Sequence, residues 1–325
     1  MNNSECAVYI LSSRKFLLKK CLDEFWENYN SQFNLPVYIY FFSGTYEKDF
    51  TNYIKKNSKN KIHFVEIFPK IPENIPEEEI FYNRSYNPYV KKHFNGKKRV
   101  GYLFMERFCS NITSYNDFGC ITDHLKKYNY IMRIDDDSWF RKKINFNLFE
   151  VLEDYPIATA YTWNYVNENV INTRENLWKF YLNYISKNNI IPKNEELKEA
   201  VLSKDENKMH KLLWSAGNCN LYNIKMFKDN GWDEYIKTIN DSNGQFMYRW
   251  GDIEVINLFG YTFFKNPMFD HDLRTKKLYL NKFFKSKYYF LSIMAPSPEN
   301  KFNINFIFFK FLKLFFKIFK FLKIK

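Results

Sequence analysis

With 325 residues, of which 46% are hydrophobic and 21% aromatic, the chain has apolar material for a large core, and disorder is excluded as its general state. The net charge of +13 invites a nucleic-acid reading, but residues 301–325 hold seven lysines and no acid; the rest carries +6 with bases and acids interleaved, so nucleic acid is the weakest partner to expect. Only nine glycines are present, none in a GxGxxG or GxxxxGK pattern, which argues against a standard dinucleotide-binding or P-loop enzyme.

Met1-Asn2-Asn3-Ser4-Glu5 has neither a basic region nor an apolar stretch, as in a chain without a secretion signal. The five cysteines, Cys6, Cys21, Cys109, Cys120 and Cys219, are odd in number and lack CxxC spacing, which predicts reduced, mostly buried thiols in a cytosolic protein. A strand is expected over 7–11, a helix over 14–29 with Phe16, Leu17, Cys21 and Phe25 near helical spacing, and strands over 36–42 and 62–68. Strand, helix, strand opens a parallel sheet with crossover helices. Residues 69–79 and 83–98 read as surface excursions, followed by a helix containing Met105 and Phe108 and another over 117–127. Further on, a strand is expected over 158–162, helices over 175–187 and 195–213, a sharp turn back into the sheet near 214–222, and a helix over 224–230. The fold class is therefore α/β, a mixed, mostly parallel sheet flanked by helices, as one domain over 1–295.

Pro296 and Pro298 set off a tail, 296–325. In it Lys310, Lys313, Lys317 and Lys320 recur at three- and four-residue steps and share one helical face, while Phe, Leu and Ile cover the rest. Lysines at every turn make a bilayer-spanning segment costly. A basic amphipathic helix lying on an anionic membrane surface is the favoured reading, with docking on its own domain or a partner as the plain alternative. The expected location is cytoplasmic and peripherally membrane-associated through residues 301–325.

The most informative segment is Tyr130-Ile131-Met132-Arg133-Ile134, an apolar run leading straight into Asp135-Asp136-Asp137. At the carboxyl end of a strand in an open α/β sheet, these acids face the crevice where ligands bind. Three like charges repel one another, and a divalent cation with hard oxygen ligands, Mn²⁺ or Mg²⁺, relieves this, with a nucleotide diphosphate completing its shell. The plain alternative is a capping cluster at a helix N-terminus. Asp135 and Asp136, with Arg107 and Arg133, are candidate contacts to the nucleotide; Arg133 serves equally as partner to its neighbouring acids. In Trp250-Gly251-Asp252 the glycine allows close backbone approach to a ligand, and Asp252 is placed to bind or deprotonate an acceptor hydroxyl, or else to cap a helix starting near 253.

Four segments resemble, in order, the fungal Golgi α-1,2-mannosyltransferases of glycosyltransferase family 15. Tyr102-Leu103-Phe104-Met105-Glu106-Arg107-Phe108 is similar to that family's Tyr-x-x-Met-x-Arg-Phe, and Tyr128 to Asp137 is similar to its Tyr-x-Tyr-x-x-Arg-Val-Glu-Pro-Asp. Leu213-Trp214-Ser215 with Asn220-Leu221-Tyr222, and Arg249-Trp250-Gly251-Asp252 within its block, complete the set over about residues 100–275. The resemblance implies a GT-A fold, a GDP-mannose donor, Mn²⁺ and transfer with retention to a glycan or lipid-linked acceptor. It places Asp135 and Asp137 as metal ligands, with His271 as the third, and Tyr102 at the donor site, joining Asp252 as a catalytic candidate. Two departures stand out. Asp-Asp-Asp replaces Glu-Pro-Asp, and after Trp214-Ser215 the family's glutamate, proposed as nucleophile, is missing from Ala216-Gly217-Asn218-Cys219. Nothing in the first residues resembles the family's N-terminal anchor, and the basic tail is the expected replacement as a tether. A UDP-sugar donor in the same architecture, and a non-catalytic membrane-surface protein, are the competing readings.

Overall fold

Runs of aliphatic and aromatic side chains bounded by polar residues form the first strands, β1 Cys6–Leu11, β2 Val37–Phe42 and β3 Ile62–Ile67. Helices α1 Lys15–Phe25 and α2 Lys48–Asn57 connect them. The computed structural model describes residues 2–80, 100–111, 124–163, 175–271, 273 and 291–293. Continuing along the chain come α3 Val100–Ser110, β4 Tyr130–Ile134, β5 Ser138–Phe140, β6 Ile157–Thr159, β7 Thr162–Trp163, α4 Leu177–Lys187, α5 Glu195–Ser203 and α6 Glu206–His210. They are followed by β8 Trp214–Ser215, β9 Cys219–Asn223, α7 Ile224–Asp229, α8 Trp232–Asp241, α9 Asp252–Phe263, β10 Met268–Asp270 and β11 Leu291–Ile293. By its contacts the chain divides into Met1–Ser292 and Ile293–Lys325, the second lying almost wholly outside the described residues. The expected excursion at 83–98, most of the expected helix 117–127 and the basic tail fall outside them as well.

The main sheet has seven strands in the order β10-β6-β9-β4-β1-β2-β3. β9 runs opposite to both its neighbours, β4 and β6, while the other pairs are parallel. β1 and β2 are buried along almost their whole length, as strands covered on both faces must be, so they read as continuous apolar runs without alternation. The chain moves from β1 to β2 and β3 on one side and places β4 on the other side of β1. That reversal of strand order lies beyond the carboxyl ends of β1 and β4, where open α/β sheets usually bind their ligands.

Local side-chain chemistry explains where the elements depart from simple periodicity. The helix expected over 14–29 ends at Phe25 and continues as a wider turn, Trp26–Asn30. Beyond it the buried Asn30 amide binds Leu35 N–H and C=O and Asn60, and Asn34 takes a left-handed backbone with φ 51°. The expected helix 195–213 is split at Lys204, also left-handed at φ 52°, and Asp205 then caps the next helix through Asn207 N–H at 2.9 Å. The strand expected over 158–162 is two strands, because Thr159 Oγ1 turns back to Tyr161 O at 3.0 Å and β7 leaves to pair with β8. Residues 69–79 are anchored by more than solvent-facing turns would need: Ile75, with Ile80 just beyond, is buried against Leu103 and Phe246. The four described cysteines are free and buried.

Candidate active site

The turn from β4 to β5 is closed by Ser138 N–H to Asp135 O at 2.9 Å and held to the neighbouring β8–β9 loop by Asp135 N–H to Asn218 O at 3.0 Å. Its three acids do different work. Asp136, only 2% exposed, accepts from Ser12 Oγ at 2.8 Å and from the backbone N–H groups of Ser13 and Arg14 at 3.1 and 3.2 Å. Its other oxygen takes Arg14 Nε at 2.9 Å and also Arg14 Nη2. Asp136 therefore clamps the loop after β1 at the point where strand order reverses. Both its oxygens are engaged in this clamp, a structural role that the nucleotide contact expected of it did not include. Asp137 pairs with Arg14 Nη1 at 2.9 Å, and Asp135 with Arg133 Nε at 3.1 Å.

Arg133 sits on β4, opposite Tyr9 of β1, and its buried guanidinium joins Asp135 to Asp252. Asp252 opens α9, and because Gly251 before it has no side chain, Glu106 of α3 supplies the cap, accepting Asp252 N–H at 2.7 Å. One turn earlier on α3, Tyr102 lies under the Arg249 guanidinium, 4.6 Å from its ring centre. Burial, then the neighbouring Asp252 charge, pushes the Glu106 carboxyl well above the usual carboxylate range. Glu106 in turn is the main cause raising the Tyr102 phenol, whose hydroxyl is desolvated although 41% of the residue faces solvent. Asp135 is pushed up to about 6, chiefly by burial; Arg133 opposes the rise and the neighbouring acids add to it. Asp137 is raised by burial against the pull of Arg14.

Arg107 is elsewhere engaged. Buried on α3, it donates to Asn240 O at 3.0 Å and Gln245 Oε1 at 3.1 Å, tying α3 to the end of α8 and the turn after it. This ties Arg107 into the packing of α3, a role not expected of it beside the phosphate contact. His271 follows β10; its N–H meets Thr159 O at 3.0 Å and its Nε2 lies 3.0 Å from Leu148 O. Burial lowers its pKa, keeping the imidazole neutral at neutral pH, the form that binds metal. Between β10 and β4 stand β6 and β9, so the strand backbones are roughly 14 Å apart at the usual strand spacing. Among the described residues no three His, Cys, Asp or Glu side chains are close enough together to hold a metal ion. Asp135, Arg133, Asp252 and Tyr102 are thus brought together with Glu106. The expected set of Asp135, Asp137 and His271 is not gathered into a preformed cage. In kind the donors suit Mn²⁺ or Mg²⁺: two carboxylates flank the clamp, while the His271 imidazole, whose Nε2–H donates to Leu148 O, would have to leave that carbonyl and turn an unprotonated nitrogen to the ion.

Residues 3–271 match the model of the glycolipid 2-alpha-mannosyltransferase family. The chain belongs to this family. It is 25% identical over 132 residues to the glycolipid 2-alpha-mannosyltransferase of Saccharomyces cerevisiae, a match covering 40% of this chain and 29% of that protein, so the aligned part spans under a third of its relative. The structure is similar to that of the mannosyltransferase Ktr4p from S. cerevisiae, with a TM-score of 0.63 at 18% identity over 81% of this chain and 67% of that one. It is equally similar to core-mannan synthase A from Aspergillus fumigatus, solved in a Mn/GDP form, with a TM-score of 0.63 at 19% identity over 80% of this chain and 70% of that one. The fold is therefore GT-A. Within it, the β8–β9 loop that lacks the glutamate lies directly against the acidic turn, and the Asn218 side-chain oxygen there is buried with no hydrogen-bond partner among the described residues.

Glu106, Arg14 and Arg249 join the site without being among the residues the sequence singles out. For Glu106 a signal existed: it is four residues from Tyr102 and so shares its helical face. Arg249 has a left-handed backbone, φ 57°, and its stacking on Tyr102 joins segments that only the fold brings together.

Proposed function

We propose that the protein is a metal-dependent glycosyltransferase transferring mannose from GDP-mannose to a glycan or lipid-linked acceptor. The observation that carries this is the linkage Asp135–Arg133–Asp252 at the switch point of strand order, which sets two acidic groups of different surroundings on one guanidinium. Family membership and the Mn/GDP form of the A. fumigatus neighbour support the donor and the ion.

Asp135 and Asp137, with His271 released from Leu148, are the residues to hold the cation. A bound divalent ion would offset the charge developing on the departing diphosphate. Asp136 keeps the loop after β1 in place while this happens, so the donor meets a rigid wall. Arg133 holds Asp252 in one orientation for an acceptor hydroxyl, and Glu106 fixes the backbone from which Asp252 projects. The residues after Trp214-Ser215 hold no carboxylate, so retention fits attack on the face of the departing phosphate better than a covalent intermediate on that loop. Residues 301–325 would keep the enzyme at an anionic cytoplasmic membrane surface.

The test is a panel of sugar nucleotides incubated with Mn²⁺ or Mg²⁺, reading nucleotide release. GDP from GDP-mannose is expected, and in Asp137→Ala the rate should fall at least about 100-fold, the upper end of what losing even a residue that merely supports a metal ligand costs. Release of UDP alone would overturn the donor assignment in favour of a UDP-sugar enzyme.

A further inference from the structure

We propose that Arg14 is a built-in competitor of the divalent cation, its guanidinium holding Asp137 until the ion arrives. The inference rests on the metal-dependent reading above and concerns how that site is loaded.

Arg14 is the N-cap residue of α1, with extended backbone at φ −125°, and makes no side-chain capping bond. An arginine is out of place there on two counts. Caps are acceptors such as Ser, Asp or Asn, and the positive end of a helix dipole repels a cation. What favours Arg14 at this point is the acidic turn opposite. Asp136 anchors the Arg14 backbone N–H, so the guanidinium is delivered to a fixed place. One nitrogen, Nη1, reaches Asp137, while Nε and Nη2 stay on Asp136.

This division makes the exchange local. Giving up Asp137 breaks one of three side-chain contacts, and the fork on Asp136 remains as a resting place. The Arg14 side chain is 40% exposed, so Nη1 has a path to water, whereas Asp137 is only 13% exposed and needs a counter-charge whenever it is ionised. An incoming divalent ion supplies that charge and meets a unit positive charge a few ångströms away. Arg14 therefore weakens metal binding, because it must give up Asp137 before the ion can take that carboxylate. An anionic diphosphate arriving with the metal absorbs both positive charges, which makes the metal bind weakly alone and tightly with nucleotide.

The test is direct Mn²⁺ binding to the full chain, read from the electron paramagnetic resonance signal of free Mn²⁺, with and without GDP. Arg14→Gln is expected to bind Mn²⁺ alone roughly tenfold tighter than wild type or better, a modest share of the repulsion from a unit charge about 4 Å away. Arg14→Lys, which keeps the charge, should stay near wild type, and the strengthening by GDP should shrink in Arg14→Gln. The wild-type chain gives a second reading by NMR: Mg²⁺ added together with GDP should shift the Arg14 guanidinium signal. Unchanged or weaker Mn²⁺ binding in Arg14→Gln, or an unmoved guanidinium signal, would overturn the proposal while wild type still binds Mn²⁺ with GDP. Failure of wild type to bind Mn²⁺ under either condition would overturn the proposed function, and this inference with it.

Discussion

Glu106 reaches from α3 to the first backbone N–H of α9 and shows how one buried carboxyl can couple stability to pH. An ionised acid is favoured at a helix N-terminus, but burial and the Asp252 charge outweigh that here and raise the Glu106 pKa well above its ordinary value. In the window between the unfolded value, about 4.3, and the raised folded value, the native state binds the extra proton. Stability from this group is thus present at low pH and lost as pH rises through that window. Urea unfolding from pH 5 to 8 should show Glu106→Gln, which cannot ionise, with a flatter profile than wild type, by up to about 1.4 kcal/mol per pH unit. Parallel profiles would show that Glu106 is ionised in the folded state.

The start of α9 is set by packing as much as by its cap. α9 is buried almost all round, so it lacks the one-sided pattern that marks a surface helix. The turn Gly244–Met247 lies against Trp250, whose indole N–H donates to Glu175 O at 2.8 Å and whose ring meets Phe180 and Tyr248. A Cβ on Gly244 would sit 2.0 Å from the Trp250 ring, far inside contact distance. Gly244→Ala must therefore move a fully buried tryptophan two residues from Asp252, and overpacking of this kind costs about 1–3 kcal/mol. A lower urea midpoint with an unchanged denaturant slope is the expected result, and an unaltered midpoint would show that the ring moves freely.

For the protein as a whole, charge is concentrated in residues 301–325, where seven lysines supply more than half of the net +13. If these residues carry it to a membrane, the full-length chain should sediment with vesicles containing phosphatidylserine. It should lose this when Lys310, Lys313, Lys317 and Lys320 are all changed to Gln, at unchanged sugar-nucleotide hydrolysis in solution. Binding should also weaken as salt rises, since surface charges are screened beyond about 8–10 Å at physiological ionic strength. Vesicle binding indifferent to both changes would remove the tail from this role.

The amino-acid sequence alone determined the first three strands, their crossover pattern and the acidic end of β4, because apolar runs and turn residues act over a few neighbouring positions. It also held the motifs that resemble family 15, and the family match over 3–271 agrees. Which acid does what was decided only by the tertiary structure. Asp136 clamps Ser13 and Arg14 from 123 and 122 positions away, Arg133 meets Asp252 across 119, and Glu106 meets it across 146. Arg107 turned towards Asn240 and His271 towards Leu148 for the same reason. A side chain's local spacing tells which face of an element it occupies, but its partner is set by which strands the sheet places side by side, and that is a property of the folded chain.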